Sequence, residues 1–222
     1  MQLNTGMARE GTLAKAPTSL ETASGDELRV GLGKTFGIMF DVETAPDLSS
    51  ASSLIISGMD LYIADTTVPT HYEIWTKPGS WRNGDSHNNA GNVIPPAGAP
   101  TARLAAEYLS GFLPVANGAI RRTGHGSFTE VSFQELEIVG GRTRQAFWVT
   151  LSDNLLLFKS RGQGGGFDTN HEVPETAVQS SNGELLVYYG MAVRTYPLEL
   201  ADPVSDFSNG AGFLGRIWMK TL

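Results

Sequence analysis

Glu135 and Glu137 stand two residues apart, which on a β-strand aims both carboxylates to one side. A carboxylate pair hydrolyses glycosides when it flanks the scissile bond at about 5–9 Å. A solvated acidic strand face carries the same spacing, and nothing else in the chain speaks for a hydrolase. The histidines, His71, His87, His125 and His171, are scattered singly, and none makes a paired metal spacing. Asn83–Asn89, NGDSHNN, offers oxygen ligands of the kind Ca²⁺ takes, with Asp85 as its one carboxylate, so any Ca²⁺ site there is weak without help from elsewhere. No other cofactor is expected. Gly31–Thr35, GLGKT, resembles part of a phosphate loop, but Leu28 stands where the first glycine is needed and FGIMFDV follows as a strand, not a helix. There is no G-x-S-x-G elbow. The chain reads as non-enzymatic.

The richest stretch is His71–Trp81, HYEIWTKPGSW: a strand that runs into a Pro78-Gly79 turn. Alternation puts His71, Glu73 and Trp75 on one face and Tyr72, Ile74 and Thr76 on the other. Aromatic rings beside a polar loop suit stacking against the C–H faces of a sugar. Trp81, past the turn, is the ring expected to be exposed. Trp75, Tyr72 and His87 complete the candidate carbohydrate contacts.

These residues need elements to hold them. Strands are expected at Phe36–Val42, Leu54–Ile63, through the anchor stretch, and at Leu113–Ala116, Phe128–Phe133, Leu136–Val139, Gln145–Leu151, Leu155–Lys159, Glu184–Tyr189 and Phe213–Lys220. In Leu54–Ile63 the apolar face is read as Ile55, Met59, Leu61 and Ile63, with Asp60 and Tyr62 turned away. Ala102–Leu109 is the one helical candidate. The 26 glycines and 11 prolines fit many short strands joined by tight turns. About nine or ten strands with at most one short helix indicate an all-β, antiparallel, jelly-roll-like β-sandwich over residues 31–222, preceded by an extended leader over 1–30.

The net charge of −7 argues against nucleic acid and anionic membrane surfaces as partners. No apolar run is long enough to span a bilayer. Cysteine is absent, which removes disulfides, thiolate metal sites and thiol nucleophiles. Met1–Arg29 lacks the charged-then-apolar pattern of a secretory signal.

Four segments in order, MFDV (Met39–Val42), EIWTKPGS (Glu73–Ser80), AFWVTL (Ala146–Leu151) and YYGMAVRTYP (Tyr188–Pro197), carry a likeness. Together they resemble a module common in secreted and cell-surface proteins of diatoms and related algae, in which an MFDV strand, an EVYTKxGS strand and turn, an AFYVTL strand and a YEGxGxxYPF segment follow one another. The likeness covers roughly Gly33 to Lys220 and departs at Leu104–Leu113, which is longer and more apolar than the module's pattern. It implies an extracellular or cell-surface setting and a role in structure or recognition, and it supplies no catalytic residues.

The leader then gains a possible task. An extended segment such as Thr12–Leu20 or Asp26–Gly31 can add a strand to a sheet edge, with Leu13, Leu20, Leu28 and Val30 filling pockets. The expected function is a structural module that self-associates into a homo-oligomer, filament or surface layer. The alternative is a module that binds polysaccharide through the aromatics near Trp75–Trp81.

Overall fold

The structure is a computed structural model, and it describes residues 18–22, 32–82, 111–121, 128–160, 176–194, 196 and 207–222. The helical candidate Ala102–Leu109 lies outside these residues. All described elements are strands: β1 (Thr18–Glu21), β2 (Leu32–Thr35), β3 (Gly37–Thr44), β4 (Ser53–Leu61), β5 (Thr70–Pro78), β6 (Leu113–Ile120), β7 (Thr129–Val139), β8 (Arg144–Leu151), β9 (Leu156–Ser160), β10 (Val178–Ser181), β11 (Leu185–Tyr188), β12 (Gly190–Val193), β13 (Phe207–Phe213) and β14 (Gly215–Thr221). Fourteen strands replace the expected nine or ten. Phe128–Val139 holds one strand where two were read. The Gly33–Thr35 triplet lies within β2, paired with β9, so it is not a phosphate loop.

Every pairing is antiparallel. A four-stranded sheet runs β1-β14-β4-β7, and a ten-stranded sheet runs β2-β9-β13-β12-β3-β8-β5-β6. In the larger sheet β11 and β12 lie end to end along β3, and β10 pairs with β11. At their junction a Cβ on Gly190 would stand 1.8 Å from the Met39 carbonyl oxygen, so only glycine lets the interrupted strand pass this close to β3.

The sheets face each other across the main core. Phe40 of β3 stacks on Phe147 at 5.8 Å and on Phe213 at 4.5 Å. Ile38, Ile74 and Val149 from the large sheet meet Leu54, Ile56, Met59, Leu61, Ile217 and Met219 from the small one. Here one expectation is corrected. Between Ile56 and Gly58 the β4–β7 register shifts. The bulge spends an extra residue and reverses the phase, so Leu54 and Ile56, not Ile55, join Met59 and Leu61 in the core. Asp60 and Tyr62 do face away from that core, yet both are buried there.

β3 and β8 lack the in–out alternation of a half-exposed strand. Seven residues of each, all but Glu43 and Arg144, are buried. Such strands are covered on both faces. The outer face of the ten-stranded sheet therefore resembles a second core, and the candidate site lies there.

Candidate functional site

Cross-strand register sets the outward side chains of the large sheet in rows. Met191, Met39, Trp148 and Trp75 stand side by side across β12, β3, β8 and β5. The Trp75 and Trp148 rings stack at 5.8 Å. The row toward one end of the strands holds Asp41, Ala146 and Lys77, and beyond it Glu43 pairs with Arg144. The row on the other side holds Val193, Gly37, Thr150, Glu73 and Asn117.

The Pro78-Gly79 turn folds the chain back over this face. Gly79 takes φ +81, open to glycine at little cost, and its N–H donates to the Arg144 carbonyl at 2.9 Å. The Asp41 carboxylate then accepts the Ser80 hydroxyl and, at 2.9 Å, the Trp81 N–H. Trp81 is consequently only 3% exposed and packs in a cluster with Met39, Phe112, Trp148 and Met191. This corrects the expectation that Trp81 offers a free ring: its partner Asp41, distant in sequence, pulls it inward. Tyr72 also leaves the candidate ligand set, because it lies on the inner face against the main core.

Asp41 is a buried carboxyl. Burial raises it from the ordinary 3.8 to about 6, against the opposing pull of Ser80, the Trp81 N–H, Arg144 and Arg82. Lys77, also buried, is lowered by burial, with Asp41 partly restoring it. The Lys77 ammonium stands 5.0 Å from the Phe112 ring centre. Arg144 binds Glu43 at 2.9 Å, approaches Asp41 at 3.7 Å and covers the Tyr188 ring at 4.5 Å. Each charge is thus held by an opposite charge or an aromatic face, as buried charges must be. The cluster works as a latch that fixes the turn.

Toward β6 the face opens to solvent. Glu73 accepts the Trp75 Nε1–H at 3.1 Å and a hydrogen bond with the Tyr196 hydroxyl. His71 Nε2 lies 3.7 Å from the other Glu73 oxygen. The His71 and Glu73 side chains are 46% and 28% exposed, and Asn117 beside Glu73 is exposed. Glu73 and Tyr196 were missed as site residues. The signal for Glu73 was its place between His71 and Trp75 on one face; no local pattern joins Tyr196 to it.

The remaining candidates fall elsewhere. Of the assembly residues, Leu20 lies in β1, is 4% exposed and enters the main core. Leu13, Leu28 and Val30 lie outside the described residues. So do His87, His125, His171 and the Ca²⁺ candidate Asp85. Among the described residues no group of three or more His, Asp or Glu is placed to hold a metal ion. Glu135 and Glu137 sit exposed on the small sheet, where Glu135 binds the Lys220 ammonium at 2.6 Å and Glu137 accepts the Ser53 hydroxyl at 2.5 Å. No described helix is long and apolar enough to cross a membrane.

Around β1 the contacts form a clasp. The strand pairs with β14 in register from Thr18↔Met219 to Glu21↔Arg216. Thr22 then donates its hydroxyl to the Phe213 carbonyl at 2.6 Å and accepts the Gly215 N–H at 3.0 Å. Gln179 of β10 holds the Thr22 carbonyl, and Arg216 reaches Glu21 at 3.2 Å. No model of a known protein family matches the chain, and no curated protein sequence matches it.

Proposed function

We propose that the chain is a non-enzymatic structural module that self-associates at a cell surface by adding β1 to the β14 edge of a neighbouring copy. One observation supports the reading: a strand of four residues at the sheet edge buries Leu20 in the main core and pairs along its whole length with β14. Those contacts are the same whichever chain supplies the strand. Exchange between copies thus retains every hydrogen bond and every buried atom and differs only in connectivity. Reciprocal exchange closes a dimer; head-to-tail exchange stays open and grows a filament. The extracellular setting rests on the resemblance to the algal surface module.

The absence of cysteine makes the test direct. Glu21→Cys and Arg216→Cys place thiols on residues that face each other across the β1–β14 pair. The two single variants are mixed at high concentration and oxidised. The expected result is a disulfide-linked heterodimer, and loss of higher species in light scattering when residues 1–22 are removed. A crosslink that forms only within the doubly substituted chain, with monomers at every concentration, overturns the reading.

A further inference from the structure

We propose that the open strip His71–Glu73–Trp75, with Asn117 and Tyr196, binds a neutral carbohydrate chain. The proposal is independent of strand exchange, because β1 and β14 belong to the other sheet.

The strip has the parts such a ligand needs. Glu73 is held in one orientation by the Trp75 indole and the Tyr196 hydroxyl. A carboxylate has about four lone-pair sites, and these two bonds leave acceptor capacity for sugar hydroxyls. The acceptor is thus pre-organised before a ligand arrives, which lowers the ordering cost of binding. One side of Trp75 is fixed by its stack on Trp148, and the ring keeps partial exposure for the C–H face of a sugar. His71, Glu73 and Trp75 are alternate residues on one strand face, about 7 Å apart in steps, which fits an extended chain better than a single ring. Along β6, Asn117 adds an exposed amide opposite Glu73, and the Pro114 ring stands opposite Trp75.

Charge selects the ligand class. The strip's carboxylate and the chain's net charge of −7 repel polyanions. A neutral polyhydroxyl chain meets an acceptor, a donor and ring faces without an unpaired charge.

The test uses the full chain in native affinity electrophoresis through gels containing a soluble β-glucan, a xylan or a galactomannan. At least one of these is expected to retard the chain. Retardation is expected to weaken at least tenfold in Trp75→Ala and in Glu73→Gln, and to persist in Glu135→Gln on the other sheet. Glu73→Gln keeps the size and one acceptor of the native side chain, so it stands as the test should Trp75→Ala fail to fold. No retardation in any of the three gels overturns the proposal, as does retardation unchanged in Glu73→Gln. Displacement by tetramethylammonium and not by free oligosaccharide would mark a cation site and would overturn it too.

Discussion

The two sheets turn very different outer faces away from the core they share. On the four-stranded sheet the outward residues include exposed polar pairs, Glu21 with Arg216, Glu135 with Lys220 and Ser53 with Glu137, and Trp218 donates its Nε1–H to the buried Asp60 at 2.8 Å. At the centre of the ten-stranded sheet they include Met39, Met191, Val193, Ala146 and Trp148, all buried, together with the buried Asp41 and Lys77. The small sheet therefore has one core face and one solvent face, whereas the centre of the large sheet has none to solvent. Alternation in β14, GRIWMKT, and its absence in β8, RQAFWVTL, record that difference directly in sequence. The accessible chemistry gathers where the covered face reaches the β5–β6 edge.

The comparison breaks most sharply at its two tryptophans. Trp148→Ala removes a buried ring from the covered face and is expected to destabilise by about 3–5 kcal/mol. Trp218→Ala removes a half-buried ring and one hydrogen bond from the solvated face, and about 1–2 kcal/mol is expected. Urea unfolding of both variants at unchanged m-value measures the gap. Equal losses would show that the outer face of the large sheet is not a second core.

A smaller effect tests the Asp41 latch. Unfolded, Asp41 releases its proton near 3.8; folded, it releases it near 6, because burial disfavours the charge. Between those values the folded chain holds a proton that the unfolded chain has lost, so stability falls as pH rises through that window. The contribution is full below about pH 4 and shrinks by about 3 kcal/mol by pH 7. Asp41→Asn preserves the shape and can still accept the Trp81 N–H. The variant should lose this pH dependence, read as the difference between its unfolding free energy and that of the native chain at pH 4.5 and pH 7. A parallel dependence in both would place the titration elsewhere.

The strands that were legible are those with strong apolar content: β3, β4, β5, β8 and β14 all come out of their sequences. β10, VQSS, β12, GMAV, and β13, FSNGAGF, do not, because short or glycine-rich segments carry no period and owe their extended form to neighbouring strands. The site was half legible. The alternation of HYEIW placed His71, Glu73 and Trp75 on one face correctly. Trp81 was misjudged because its burial depends on a hydrogen bond to a residue on another strand, which no local pattern records. The phase error at Ile55 has a similar origin, since the bulge that causes it is a property of the β4–β7 pair.

The smallest effect sharpens the comparison from the solvated side. Glu135 and Lys220 make a short ion pair at 2.6 Å, but the Glu135 side chain is 57% exposed. In that setting water screens the attraction, and holding two long side chains together costs entropy. Glu135→Gln is therefore expected to change stability by less than about 0.5 kcal/mol, and the change should fade as salt is raised from about 0.05 to 1 M. A short distance alone would have argued for a strong interaction; exposure decides against it. A loss above about 1 kcal/mol that persists in high salt would mean that this face, too, is held as a buried surface, and the contrast between the two sheets would fall.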